Sequence, residues 1–169
     1  MELRLGEKVV YPNQGVGIIE QISTRNLSGQ PETFYLLKLN GIGMRVIVPM
    51  TNVASIGLRR VARSNEVGSV LGYLDKGSTR NVPDWKSRFR ENSEKMRAGS
   101  LQNVAEVFKS LLVRSQDKPL SFREKRMLDR SWQMLVDEIA VVRRTQKDVV
   151  ESQLAKTLEK SNLKLPAIS

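Results

Sequence analysis

The 169-residue chain contains no cysteine and no histidine. The first absence removes disulfides, thiolate chemistry and the commonest zinc ligands; the second removes the usual general base and the other common metal ligand. Catalysis would have to rest on carboxylates, lysine, serine or tyrosine. The plentiful Asp, Glu and Lys residues form no constellation that separates catalytic from surface positions. No enzyme, metal or cofactor is therefore expected. Apolar runs extend only a few residues, too short for a membrane helix, and the opening Met-Glu-Leu-Arg-Leu-Gly-Glu-Lys has no apolar stretch to serve as a signal peptide. A cytoplasmic protein without a membrane partner is expected. Aromatic residues amount to only 5%, which argues against single-stranded RNA binding through several stacking platforms.

Positive charge is abundant. Lys and Arg number 28 against 18 acidic residues, giving a formal charge of +10 and a pI near 10.1. That balance favours a polyanion, with nucleic acid ahead of an anionic membrane. Residues 1–62 hold 7 basic and 4 acidic side chains, and residues 63–169 hold 21 and 14. The larger surplus assigns the nucleic-acid surface to the C-terminal part.

Hydrophobic periodicity divides the chain in the same place. Up to about residue 60, the segments Lys8 to Tyr11, Gly15 to Thr24, Thr33 to Leu39 and Met44 to Val48 are rich in Val, Ile, Tyr and Phe. They are separated by the turn sequences Pro12-Asn13-Gln14-Gly15, Leu27-Ser28-Gly29-Gln30 and Asn40-Gly41-Ile42-Gly43, and a last short strand is expected near Val53 to Ile56. Five short strands in so few residues suit a small, strongly curved barrel of the Tudor-like kind. Gly15-Val16-Gly17 is a turn into a strand: it lacks the further glycines, the Lys-Ser/Thr pair and the following helix of a phosphate loop.

From Ser64 the period becomes helical. Val104, Val107, Phe108, Leu111 and Leu112 share one stripe, as do Leu128, Trp132, Leu135, Ile139 and Val142, and Val150, Leu154 and Leu158 mark a final helix. Asp117-Lys118-Pro119 breaks the chain before Ser121, which with Glu124 forms a capping box. The expectation is an α+β protein: a five-stranded barrel at 1–60, an all-α bundle of about five helices at 64–160, and a loose tail at 161–169.

Trp85 stands two residues after Pro83, in the first turn of a helix whose dipole Asp84 complements. It shares a face with Phe89 and Met96. It therefore either anchors that helix to the bundle, or projects past the packed region as a wedge against a base step. Lys86, Arg90 and Arg97 form the neighbouring stripe, with Arg88 close by, where phosphate contacts are wanted. Arg123, Lys125, Arg126 and Arg130 make a second cluster near the start of the helix capped by Ser121. Cations in those first turns oppose the helix dipole at a cost of about a few tenths of a kcal/mol each. The cluster is either a solvated face neutralised by Asp129 and Glu124, or a surface where helix N-terminus and side chains meet phosphate together. Trp132 lies on the apolar stripe and is expected in the core.

In Met44 to Pro49, alternation places Met44, Val46 and Val48 on one face and Arg45, Ile47 and Pro49 on the other. With the first set inside, Ile47 is an exposed apolar residue on a strand that Pro49 marks as an edge. That is either an ordinary edge or a surface able to accept a strand from another protein.

Lys8-Val9-Val10-Tyr11-Pro12 with Gly15-Val16-Gly17, Gly43-Met44-Arg45-Val46 through Pro49, Gly57-Leu58-Arg59, Trp85 with its basic neighbours, and Leu120 through Leu128 together resemble the CarD/CdnL family of bacterial transcription regulators. The resemblance runs from about residue 3 to 160, in order and spacing. It implies a Tudor-like N-terminal domain docking on the RNA polymerase β subunit. It also implies a helical C-terminal domain that contacts promoter DNA at the upstream edge of the melted bubble, largely without sequence specificity. There a tryptophan in the minor groove stabilises the open complex, notably at ribosomal RNA promoters. On this chain the tryptophan is Trp85; the DNA-facing cations are Lys86, Arg88, Arg90, Lys125 and Arg126; the polymerase-facing positions are Arg25, Arg45, Ile47 and Pro49. Some relatives carry arginine in place of Ser87 or of Ile47, so a phosphate contact shifts to Lys86 and the polymerase contact becomes more apolar. A monomer is expected. The other class of function open to the residues is an RNA- or ribosome-associated basic module.

Overall fold

The alternating apolar segments form five antiparallel strands: β1 (Lys8–Tyr11), β2 (Gly15–Leu27), β3 (Gln30–Leu39), β4 (Arg45–Pro49) and β5 (Arg59–Arg60). The computed structural model describes residues 2–41 and 43–165, in two units, Met1–Val61 and Ala62–Ser169. In the first unit the strand order is β4-β3-β2-β1-β5. The outermost strands, β4 and β5, do not pair with each other, so the expected barrel is an open sheet among the described residues. At two residues, β5 is too short to carry a closing ladder.

Curvature comes from β2. Its register with β3 slips between Ile19 and Gln21, leaving Glu20 as the extra residue of a bulge, which bends a strand and raises its twist. The bent sheet encloses Leu3, Val9, Ile19, Tyr35, Leu37, Val48, Val53 and Leu58. The fully buried Tyr35 hydroxyl accepts a hydrogen bond from the Leu3 N–H at 3.3 Å. At Gly17 a Cβ would lie 2.9 Å from the Lys38 carbonyl oxygen, so this glycine permits close strand approach and belongs to no phosphate loop.

β2 and β3 extend further than their composition suggests, because Ser28 (φ 53°) and Gly29 (φ 80°) form a two-residue turn with both central residues left-handed. Such a turn matches strand twist and fixes the register to the tip. The turn expected at 40–43 lies partly outside the described residues, at Ile42. The strand expected at Val53 to Ile56 is instead a one-turn helix, α1 (Val53–Ile56). Its inward-facing apolar residues are three apart, which suits a helical turn, and Gly57 (φ 82°) ends it by donating to the Val53 and Ala54 carbonyls.

The second unit is all helix: α2 (Ser64–Lys76), α3 (Trp85–Ala98), α4 (Leu101–Asp117), α5 (Phe122–Arg143) and α6 (Lys147–Glu159). With α1 this makes six α-helices among the described residues. The apolar stripes of α4, α5 and α6 meet in one core, where Phe108 and Trp132 pack with ring centroids 5.3 Å apart. Residues 161–165 are not a loose tail. Leu163 is buried in that core, its N–H bonds to the Leu158 carbonyl, and the Gln116 side-chain amide donates to the Lys164 carbonyl. An apolar residue four beyond the end of α6 gains more by burial than a free end gains in entropy. Residues 166–169 lie outside the described residues.

Candidate nucleic-acid interface

Asp84 caps α3, accepting from the Ser87 N–H at 3.3 Å and the Ser87 hydroxyl at 2.8 Å. The hydroxyl bond, followed by the backbone bond, holds the Asp84 carboxyl below its ordinary value. Ser87 is thereby committed to the cap. The helix buries Arg88, Asn92 and Met96, a stripe rotated by one position from the expected Trp85, Phe89 and Met96. Trp85 is consequently 45% exposed at the head of the helix, while Phe89 is half-buried with the Arg123 guanidinium 5.9 Å from its ring centre. The structure thus leaves Trp85 as a projecting aromatic and gives the anchoring role to other residues.

Arg88, expected among the DNA-facing cations, is the chief correction. Only 8% of it is exposed. Its Nε donates to Glu124 Oε2 at 2.7 Å and its Nη2 to Oε1 at 3.0 Å, while Nη1 donates to the Val82 carbonyl at 2.9 Å. A planar fork matched to a buried carboxylate, with Nη1 turned to backbone carbonyls, is committed inside the fold and not presented to phosphate. The acid lies 36 residues away in sequence, so local pattern did not reveal it. At the α5 cap, Ser121 accepts from the Glu124 N–H and its hydroxyl donates to Glu124 Oε1 at 3.2 Å, so the Glu124 carboxylate serves the cap and Arg88 together. Burial pushes the Glu124 carboxyl up, yet the Arg88 guanidinium and the Ser121 donors outweigh it and hold the group below its ordinary value.

This clip ties the first turns of α3 and α5 together. Lys86, Arg90 and Arg97 on α3 and Arg123, Lys125 and Arg126 on α5 are exposed. The Arg126 guanidinium lies 5.7 Å from the centre of the Phe122 ring, and Phe122, the residue leading α5, is 74% exposed. Sequence reasoning missed Phe122, although a signal was present: it falls off the Leu128, Trp132, Leu135 stripe. Two helix starts, each led by an exposed aromatic and flanked by cations, suit contact with a polyanion that has unstacked or deformable bases.

In the first unit, β4 is an edge strand. Val48 is buried and Val46 half-buried, whereas Met44 precedes the strand and is exposed, contrary to its expected inward position. Ile47 is 60% exposed. Arg45 is held by Glu20, the bulge residue, at 2.8 Å, and that hydrogen-bonded partner raises the pKa of the guanidinium. Arg25, exposed near the β2–β3 tip, pairs in register with Glu32.

The sequence profile of the CarD C-terminal domain matches residues 69–155, and that of the CarD-like/TRCF RID domain, an RNA polymerase-interacting domain, matches residues 3–62. The chain belongs to the CarD family. This CarD-family chain is 28% identical over 151 residues, covering 89% of it and 96% of the relative, to the Bacillus subtilis (strain 168) protein named "Putative transcription factor YdeB". Among solved structures, the 72-residue N-terminal domain of Myxococcus xanthus CarD is 41% identical, spans 36% of this chain and 81% of its own, and has a TM-score of 0.31. The corresponding figures for CdnLNt of Myxococcus xanthus are 40%, 36%, 84% and 0.31. As a CarD-family protein the chain is a transcription regulator. Among its described residues no helix is long and apolar enough to cross a membrane.

Proposed function

We propose that the protein binds the RNA polymerase β subunit through its first unit and promoter DNA at the upstream edge of the bubble through its second, stabilising the open complex. The observation that carries this reading is the exposed Trp85 at the head of α3, beside the exposed Lys86 and Arg90. Phe122 adds a second aromatic at the head of α5. The protein acts without catalysis: a factor that binds melted promoter DNA better than closed DNA shifts the balance by its differential affinity alone, about tenfold per 1.4 kcal/mol. The direct test is the lifetime of open complexes on a ribosomal RNA promoter, with and without the protein. An unchanged lifetime rejects the reading.

Two further results are expected. Phosphate contacts carry no base code, so selectivity follows the ease of deforming a step. With about five such contacts, log affinity for forked duplex DNA falls against log salt with a slope of about −4 to −5. A slope near −1 in an electrophoretic mobility series would remove the basic clusters from the interface. For the first unit, an edge strand with an exposed isoleucine suits strand addition reinforced by an apolar contact. Ile47→Glu is expected to weaken binding to the isolated β subunit about tenfold or more and to leave DNA affinity unchanged, as read by surface plasmon resonance. The side chain is exposed, so the fold is unaffected.

A further inference from the structure

The connection at residues 77–84, between α2 and α3, lines two adjoining cavities of about 400 and 160 Å³ that share Thr79, Arg80, Val82, Arg88 and Ser110 in their walls. Neither cavity is lined by Trp85 or Phe122. The smaller is lined by Asn92, which is 5% exposed and whose Nδ2 has no hydrogen-bond acceptor. The larger is lined by Arg114 and Lys118, and the buried Nε of Arg114 is likewise without an acceptor. Buried donors left unpaired are unfavourable and native structures normally supply them with a partner. Both orphans here are donors, so the missing partner is rich in acceptors.

Charge narrows the choice. Glu91 is taken by Arg80 at 2.8 Å and Glu106 by Lys95 at 3.6 Å, and Asp117 is the one acid lining the larger cavity, against Arg80, Arg88, Arg114 and Lys118. Arg88 is already spent on Glu124, so the cations that remain for a guest are Arg114 and Lys118. We propose that the two adjoining cavities together bind a small phosphate-bearing molecule, with phosphate oxygens in the larger accepting from Arg114 and Lys118 and a further acceptor reaching Asn92 in the smaller. The larger volume alone falls within the range of about 300 to 1,000 Å³ usual for small-ligand sites. A duplex backbone fits poorly, because Asn92 lies within the fold. The connection also delivers the Val82 carbonyl to Arg88 and then enters Trp85, so a ligand that fixes it also fixes the approach to the α3 start.

The test is a calorimetric titration of inorganic pyrophosphate into the full chain at low salt. It compares the parent with Arg114→Gln, Lys118→Gln and the charge-matched control Lys156→Gln, an exposed position on α6 that lines neither cavity. One saturable site is expected in the parent and in Lys156→Gln. Affinity is expected to fall about tenfold or more in Arg114→Gln and Lys118→Gln, whose melting temperatures stay at the parental value. Equal binding in all four proteins, or no saturable binding in the parent, overturns the proposal. So does an equal loss of forked-DNA affinity in Arg114→Gln, which would assign these donors to the DNA backbone.

Discussion

Trp85→Ala is expected to leave β-subunit binding intact and to abolish the increase in open-complex lifetime. The side chain is half outside the fold, and α3 keeps its cap at Asp84 and its buried stripe of Arg88, Asn92 and Met96 without it. Truncation therefore costs little stability, and the melting temperature should move by no more than a few degrees. The wedge role predicts the opposite for function: an aromatic ring stacked on an unpaired base contributes about 1 to 3 kcal/mol that alanine does not supply. A loss of about 1.4 to 3 kcal/mol shortens the lifetime about 10- to 150-fold. Measuring promoter dissociation after a heparin challenge reads this directly. Phe122→Ala provides the comparison, since Phe122 is more exposed than Trp85 and equally dispensable for packing. A Trp85→Ala protein that stabilises open complexes as the parent does would transfer the role to the cations alone. One that no longer binds the β subunit would remove the division of labour between the two units.

The features legible in the sequence were those written in a single period. The stripes Val104 to Leu112 and Leu128 to Ile139 are buried as their spacing requires, because a helix with five apolar residues on one face has one way to hide them. β1 was equally clear, with its valines flanked by turn residues. Elements of one turn were not. Val53 to Ile56 is too short for period 2 to be separated from period 3.6 in the sequence, and the three-residue spacing of Val53 and Ile56 tells only together with the left-handed Gly57 that ends the turn. Barrel closure was not legible either, since it depends on whether the last strand is long enough to pair with the fourth. In the site, the role misread within α3 was that of Arg88. Arginine on an otherwise polar helix resembles a phosphate ligand until its partner is known, and Glu124, which does bond to Ser121 at the α5 start, gave no sign of its second partner. A long-range ion pair leaves no local period, so the face shared by Trp85, Phe89 and Met96 left both roles of Trp85 open.

Arg88→Ala is expected to destabilise the helical unit by about 3 to 5 kcal/mol, the usual result of removing one member of a buried ion pair. The cost arises chiefly from what remains, since Glu124 is 1% exposed and its carboxylate would be left without its cation, while the Val82 carbonyl would lose its donor. Where global stabilities run about 5 to 15 kcal/mol, this is a large share. Replacing both partners, as in Arg88→Met with Glu124→Leu, is expected to recover most of the loss, because no uncompensated charge is then buried. The pH dependence follows from the direction in which Glu124 is shifted. Its folded value lies below 4.5, so the folded state holds its proton less tightly than the unfolded chain does. The pair's stabilisation is therefore complete above the unfolded value and is lost as pH falls through the folded one. Urea unfolding of the parent between pH 7 and pH 3 should show this decline, and Glu124→Gln, which has no proton to gain, should show a shallower one. Parallel curves would mean that Glu124 does not couple protonation to folding. A small loss in Arg88→Ala would mean that the first turns of α3 and α5 are held by packing alone, and Trp85 and Phe122 would then owe their placement to the apolar core.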